Sequence, residues 1–368
     1  MVLFEKLYNF FDSQRFQKGI SCLNLSDKIS ASYEMITSLN NRKGGLLNSI
    51  DHRTMTNTLR YIFKTPTWIT VILGIILLLM QSYQGVLSQN IQVAFFVLLI
   101  LLTGIPHGSL DHLIQEANDK RQNKVYSFTK FTTKYLLFMA VYGLAWYWFS
   151  GISLMVFLII SAWHFGETDL VNVPLKPRIW SFTRLFYGFY VLAFILLTHT
   201  NEVNPIVQQM IKGQTNALIF WKFIQINVKQ ILYLFGLILS TIFIVAQSEY
   251  FIEFDKIRIL RLTLILFLTI YLPLLTAFAL YFGGWHALCA FDTIHGYLQK
   301  DYPSLTFKSV YLKALPFTVI AIIFLSVFLW YCKNYTQLYN PFPILFIFVS
   351  LITLPHLIVA NQMNNDDK

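Results

Sequence analysis

Residues 257–291 read IRILRLTLILFLTIYLPLLTAFALYFGGWHALCAF, a run of 35 residues whose only charges are Arg258 and Arg261 at its start. As one continuous helix it would extend about 52 Å at ~1.5 Å per residue, against a hydrocarbon core of ~30 Å. Pro273, near the middle, has no N–H for the helix ladder and its ring crowds the preceding turn. The run is therefore expected to fold as two short membrane spans broken at Pro273.

Similar runs recur on both sides of it. Spans are expected at roughly 67–87, 91–107, 135–150, 152–166, 181–198, 229–247, 257–272, 274–292, 312–331 and 342–360. The chain is 56% hydrophobic and only 12% charged, whereas a soluble domain carries about 25% charged residues. In a bilayer the backbone must satisfy its own hydrogen bonds, which apolar segments of ~20 residues do as helices. The expected fold is all-α, a polytopic transmembrane bundle of about ten spans over residues 65–362, preceded by a polar extension over residues 1–64. That extension has none of the features of a secretory signal, so the run beginning near Trp68 is read as a retained span.

The net charge of +10 invites a nucleic-acid reading, but the basic residues lie between apolar runs rather than along one polar face. They follow the bias of cytoplasmic loops toward Lys and Arg. The connection at 107–134 carries Lys120, Arg121, Lys124, Lys130 and Lys134, while the connections at 84–91 and 149–152 carry no charge. A multi-pass protein of the inner (plasma) membrane with a cytoplasmic N-terminus is expected, and no nucleic-acid partner. The lysines of 199–229 run against this pattern. Cys22, Cys289 and Cys332 match no metal or disulfide spacing and are read as packing residues.

Of eight histidines, His52 lies in the polar extension and His199 at an outer span end, where both are read as solvated or interfacial. The others fall in short motifs: Gly-Ile-Pro-His107-Gly-Ser-Leu-Asp111-His112, Trp-His164-Phe-Gly-Glu167-Thr-Asp169, Gly-Gly-Trp-His286 onward through Asp292 to His295, and Leu-Pro-His356. In a ten-span topology these motifs close the second, fourth, eighth and tenth spans, which all run inward. They therefore converge on the cytoplasmic leaflet. Ionisable groups at membrane depth face the bundle interior and take partners, and neutral imidazole is the commonest metal ligand. Several imidazoles at one depth with few nearby thiols favour iron, zinc or copper over calcium or magnesium. The alternative is that each histidine is interfacial and hydrogen-bonds a carbonyl.

Helical geometry sorts the members of each motif. At ~100° per residue, Asp111 returns to the face of His107 if the helix continues past Gly108, whereas His112 is turned about 140° away. Asp111 then reads as a carboxylate that orients a metal-binding His107. Glu167, three positions after His164, is placed to orient that ring or to hold a proton. His295 lies about 180° from His286 on a regular helix, too far round to share one metal with it.

With these motifs in place, the chain resembles the Brp/Blh family of bacterial β-carotene 15,15'-dioxygenases, membrane proteins that accompany microbial rhodopsins. The resemblance covers roughly residues 90–362 and rests on Pro-His107-Gly-Ser-Leu-Asp111, His164-Phe-Gly-Glu-Thr-Asp169, Trp-His286 and Pro-His356, in that order. It implies cleavage of β-carotene at its central double bond with Fe(II) and O₂ to give retinal, with a retinal-binding rhodopsin as product acceptor. The ligands it implies are His107, His164 and His286. Some members have a further histidine four positions after the third, where this chain has Ala290. Either His356 completes the set, or three histidines hold the iron, or activity is lost.

Two other classes compete. A bilayer binding or transport protein would use the histidines for proton relay or packing, and a di-iron desaturase would need more closely spaced histidines. A retinal-binding receptor needs a lysine well inside a span, and none of the expected spans has one.

Overall fold

A computed structural model describes residues 67–170, 179–250, 256–335 and 341–366. The polar extension expected over residues 1–64 lies outside the described residues, as does His52. Every regular element among the described residues is helical: α1 (Thr67–Gln84), α2 (Gln89–Leu99), a π turn π1 (Ile100–Gly104), α3 (Ile105–Gly108), α4 (Asp111–Arg121), α5 (Phe128–Trp148) and α6 (Ser150–Asp169). There follow α7 (Ile179–Thr198), α8 (Thr200–Met210), α9 (Thr215–Ile226), α10 (Val228–Tyr250) and α11 (Lys256–Tyr271). The chain continues through α12 (Leu274–Ala279), a second π turn π2 (Leu280–His286), α13 (Ala287–Gln299), α14 (Phe307–Tyr335) and α15 (Pro341–Asp366).

Among the described residues, eight helices are long and apolar enough to cross a membrane. The expected third and seventh spans are also helices, α5 and α11, but α5 carries Lys130 and Lys134 and α11 has only 16 residues. Outward-facing side chains on α14, such as Ile320, Ile323 and Val327, are exposed, a contiguous apolar surface of the kind that a bilayer covers.

The break at Pro273 occurs where expected. Pro273 has extended backbone (φ −60°, ψ 154°) and caps α12. A break of this kind leaves backbone groups without helical partners, and the junction of α7 and α8 supplies them. His199 Nε2 lies 2.7 Å from the Leu272 carbonyl, and the Glu202 carboxylate accepts from Leu274 N–H at 3.1 and 3.2 Å. His199 is thus a buried cross-tie between helices and not the solvated residue that its place at a span end suggests. The segment containing it, read as a connection, folds into α8 and α9.

The rod formed by α12, π2 and α13 is the most deeply buried of the eight candidate spans. Around it, α6 and α7 approach so closely that a Cβ on Gly166 would lie 1.9 Å from the Arg184 carbonyl oxygen, and one on Gly188 would lie 1.7 Å from that of Ala162. Only glycine permits such backbone contact. It fixes α6, and with it His164, against the bundle. The helix α15 packs on α4, α5, α6, α8 and α14, bringing its own histidine inward.

Candidate metal centre

His107, His164, His286 and His356 come together from four separate segments: α3, α6, the end of π2 and α15. All four are buried, His286 completely. Their rings form a closed circuit, with centroids 5.6 Å apart for His107–His286, 4.8 Å for His286–His164, 4.8 Å for His164–His356 and 5.2 Å for His356–His107. Ligand nitrogens of His107, His164 and His286 lie within 4.8 Å of one another. His356 joins them through Nε2, 3.2 Å from His164 Nε2.

Local sequence explains how each ring is aimed. Pro106 cannot donate to the carbonyl of Leu102, four residues earlier, and that oxygen instead accepts from the Tyr311 hydroxyl at 3.1 Å. In π1 the Ile105 N–H reaches back to the Ile100 carbonyl. The Thr103 carbonyl of this turn lies 3.4 Å from His107 Nδ1. A proton on Nδ1 facing that oxygen leaves Nε2 of His107 as the lone-pair nitrogen.

The carboxylate of Asp111 does not orient His107, because the helix does not continue past Gly108: α3 ends there and α4 starts afresh at Asp111. The irregular Ser109–Leu110 step turns Asp111 toward α15. Its Oδ1 lies 2.7 Å from His356 Nδ1, and its Oδ2 accepts from the Tyr135 hydroxyl at 3.1 Å. Tyr135 has no sequence motif to reveal it. Glu167 is buried and interacts electrostatically with Arg184 of α7. His112 packs at a tilt against Phe317, ring centroids 4.1 Å apart, and meets the Ser109 carbonyl, while His295 meets the Leu305 carbonyl and Phe307. Ala290 is buried in α13.

The donor set fits a transition metal. Both ring nitrogens of His286 and Nδ1 of His164 are buried without hydrogen-bond partners, and buried polar atoms left in that state need a partner such as an ion. Ligand nitrogens sharing one ion at bonds of about 2.1 Å stand about 3.0–4.2 Å apart, so nitrogens up to 4.8 Å apart would have to close by roughly 0.6–1.8 Å. The carboxylate behind His356 is the usual outer partner of a metal-binding imidazole.

The four rings also line a cavity of about 1000 Å³, at the upper end of the ~300–1,000 Å³ typical of ligand pockets. Its wall is mostly apolar and includes Ser161, Phe165, Phe278, Phe282 and Phe346. Phe282 stacks on Phe278 at 5.4 Å and on His286 at 5.7 Å. Leu136, Ile320 and Phe324 belong to the same wall and are exposed on the outer face of the bundle.

Residues 98–364 match the family described as Beta-carotene 15,15'-dioxygenase. The chain belongs to this family. The match encloses all four histidines, and the resemblance read from the motifs therefore holds. A protein named Beta-carotene 15,15'-dioxygenase from uncultured marine bacterium 66A03 is 29% identical over 201 residues, 55% of this chain and 69% of that protein. No solved structure matches. The four histidine motifs are thus brought together here as one buried cluster, and not as separate interfacial residues.

Proposed function

We propose that the protein is an iron(II) dioxygenase of the bilayer that cleaves β-carotene at its central 15,15' double bond into two molecules of all-trans-retinal. The observation that carries this reading is the buried His107–His164–His286–His356 circuit with unpartnered ring nitrogens, set in the wall of a large apolar cavity. Family membership supports the substrate. Iron, when bound, supplies the activation of dioxygen that the cleavage requires.

The chain's own residues do the rest. His107, His164 and His286 hold the ion, and His356 is the fourth ligand, kept in place by Asp111, whose second oxygen is held by Tyr135. Phe165, Phe278 and Phe282 exclude water from the ion and give a conjugated polyene flat apolar surfaces to lie on. Exposure of Leu136, Ile320 and Phe324 on the cavity wall lets a lipid-dissolved carotene enter sideways from the bilayer. The remaining features of the reading are an inner-membrane protein with a cytoplasmic N-terminus and a cytoplasmic extension over residues 1–64, handing retinal to a rhodopsin.

Expression in a β-carotene-producing bacterium tests this directly. The orange pigment should bleach and extracted lipids should contain retinal. Unchanged carotene with the protein folded in the membrane would overturn the enzymatic reading in favour of a carotenoid-binding protein.

A further inference from the structure

Two π turns, π1 and π2, lie at the two segments that deliver His107 and His286, and they pack against each other. A π turn widens the ladder and leaves carbonyls without their ordinary helical donors. In π2 the carbonyls of Gly283 and Gly284 are met by hydroxyls from neighbouring elements. The Thr103 hydroxyl, from π1, lies 2.8 Å from the Gly283 carbonyl, and the Thr70 hydroxyl, from α1, bonds the Gly284 carbonyl. Both contacts need glycine. A Cβ on Gly283 would lie 2.8 Å from Leu99 Cβ and 3.2 Å from Thr103 Oγ1, and one on Gly284 would lie 2.6 Å from Thr70 Cγ2.

Thr103 is the only one of these residues that also faces a ligand, since its carbonyl lies 3.4 Å from His107 Nδ1. One residue thus holds His107 through its main chain and the turn ending in His286 through its side chain. Resting on the iron reading above, we propose that Thr103 is a positioning residue: it clamps π1 to π2 and so sets the separation of His107 from His286. The bland alternative is local, because the same hydroxyl lies 2.7 Å from the Leu99 carbonyl, the back-bond that threonines commonly make four residues along a helix. If only that bond mattered, its loss would leave π2 untouched.

Thr103→Val keeps the shape and removes the hydroxyl, Thr103→Ser restores it, and Thr269→Val serves as a control that loses a buried hydroxyl bonded only to its own helix at Leu266. Two readouts on detergent-purified protein separate the outcomes. In metal-free protein, amide hydrogen exchange over residues 280–287 should quicken about fivefold in Thr103→Val and remain at the wild-type rate in Thr103→Ser and Thr269→Val. Affinity for Fe(II), measured by competition with a chelator, should fall about tenfold in Thr103→Val alone. Wild-type exchange over 280–287 in Thr103→Val would overturn the clamp whether or not iron binds. Faster exchange with unchanged Fe(II) affinity would overturn the positioning role. Failure of the wild-type protein to bind Fe(II) would sink the iron reading instead, leaving the clamp to be judged on exchange.

Discussion

His356 stands between Asp111 and His164, its Nδ1 2.7 Å from the carboxylate and its Nε2 3.2 Å from the Nε2 of His164. A carboxylate on one ring nitrogen fixes the tautomer and makes the other a stronger donor to a metal. Asp111→Asn should therefore lower iron affinity by about 10–100-fold, the usual cost of losing such a partner. His356→Ala should remove both iron and cleavage, and His295→Ala, whose ring turns to Leu305 and Phe307, should leave both intact. Metal analysis with a retinal assay on the three variants checks the assignment, and full iron occupancy in His356→Ala would leave a three-histidine site.

How much of this was legible in the sequence varies with the range of the forces involved. Apolar runs near bilayer length and the Pro273 break could be read because both rest on local chemistry. The convergence of the histidine motifs followed from counting spans. The partner of Asp111 could not be read, because it depends on the helix failing at Ser109–Leu110 and restarting at a new angle. The π turns were hidden for the same reason: an inserted residue in a ladder leaves no mark in a pattern of apolar side chains. His199 looked interfacial because a span ends beside it, yet the Leu272 carbonyl freed by the break lies 73 residues further along.

That placement of His199 separates two kinds of histidine. His107→Ala, His164→Ala and His286→Ala should each abolish cleavage and strip the iron. His199→Ala should instead destabilise the protein by about 1–3 kcal/mol, because the buried Leu272 carbonyl loses its partner, with iron per folded molecule unchanged. Thermal melting alongside metal content distinguishes the two patterns. Loss of iron from His199→Ala at wild-type stability would contradict the structural role.

Ser161 lies on the cavity wall one turn before His164 and is buried. Phenylalanine at this position would project into the cavity that the four histidines line. Ser161→Phe should retain iron and lose carotene cleavage. Cleavage at the wild-type rate with iron bound would mean that the substrate reaches the ion from another side of the cavity.

Asp169 closes α6 five residues after His164, at a helix C-terminus, where a negative charge is unfavourable. It is buried, and three donors compensate: the Tyr187 and Tyr281 hydroxyls at 3.1 Å each and the Trp285 indole N–H at 2.8 Å. Arg258 adds a positive charge, its guanidinium 5.6 Å from the Trp285 ring centre and bonded to the Thr168 carbonyl at 2.7 Å. The carboxylate thus binds the end of the helix carrying His164 to the turn carrying His286. Asp169→Ala would leave two phenols and an indole buried without their acceptor, at about 1–3 kcal/mol each. The loss should total at least about 3 kcal/mol, enough to lower the melting temperature by several degrees in a chain of this size. Asp169→Asn should cost less, since the phenols can rotate to accept from its amide. Tyr281→Phe, which removes one donor and leaves the carboxylate two others, should be the mildest of the three. Melting of Asp169→Ala within a degree of wild type would show that the network does not hold these helices together.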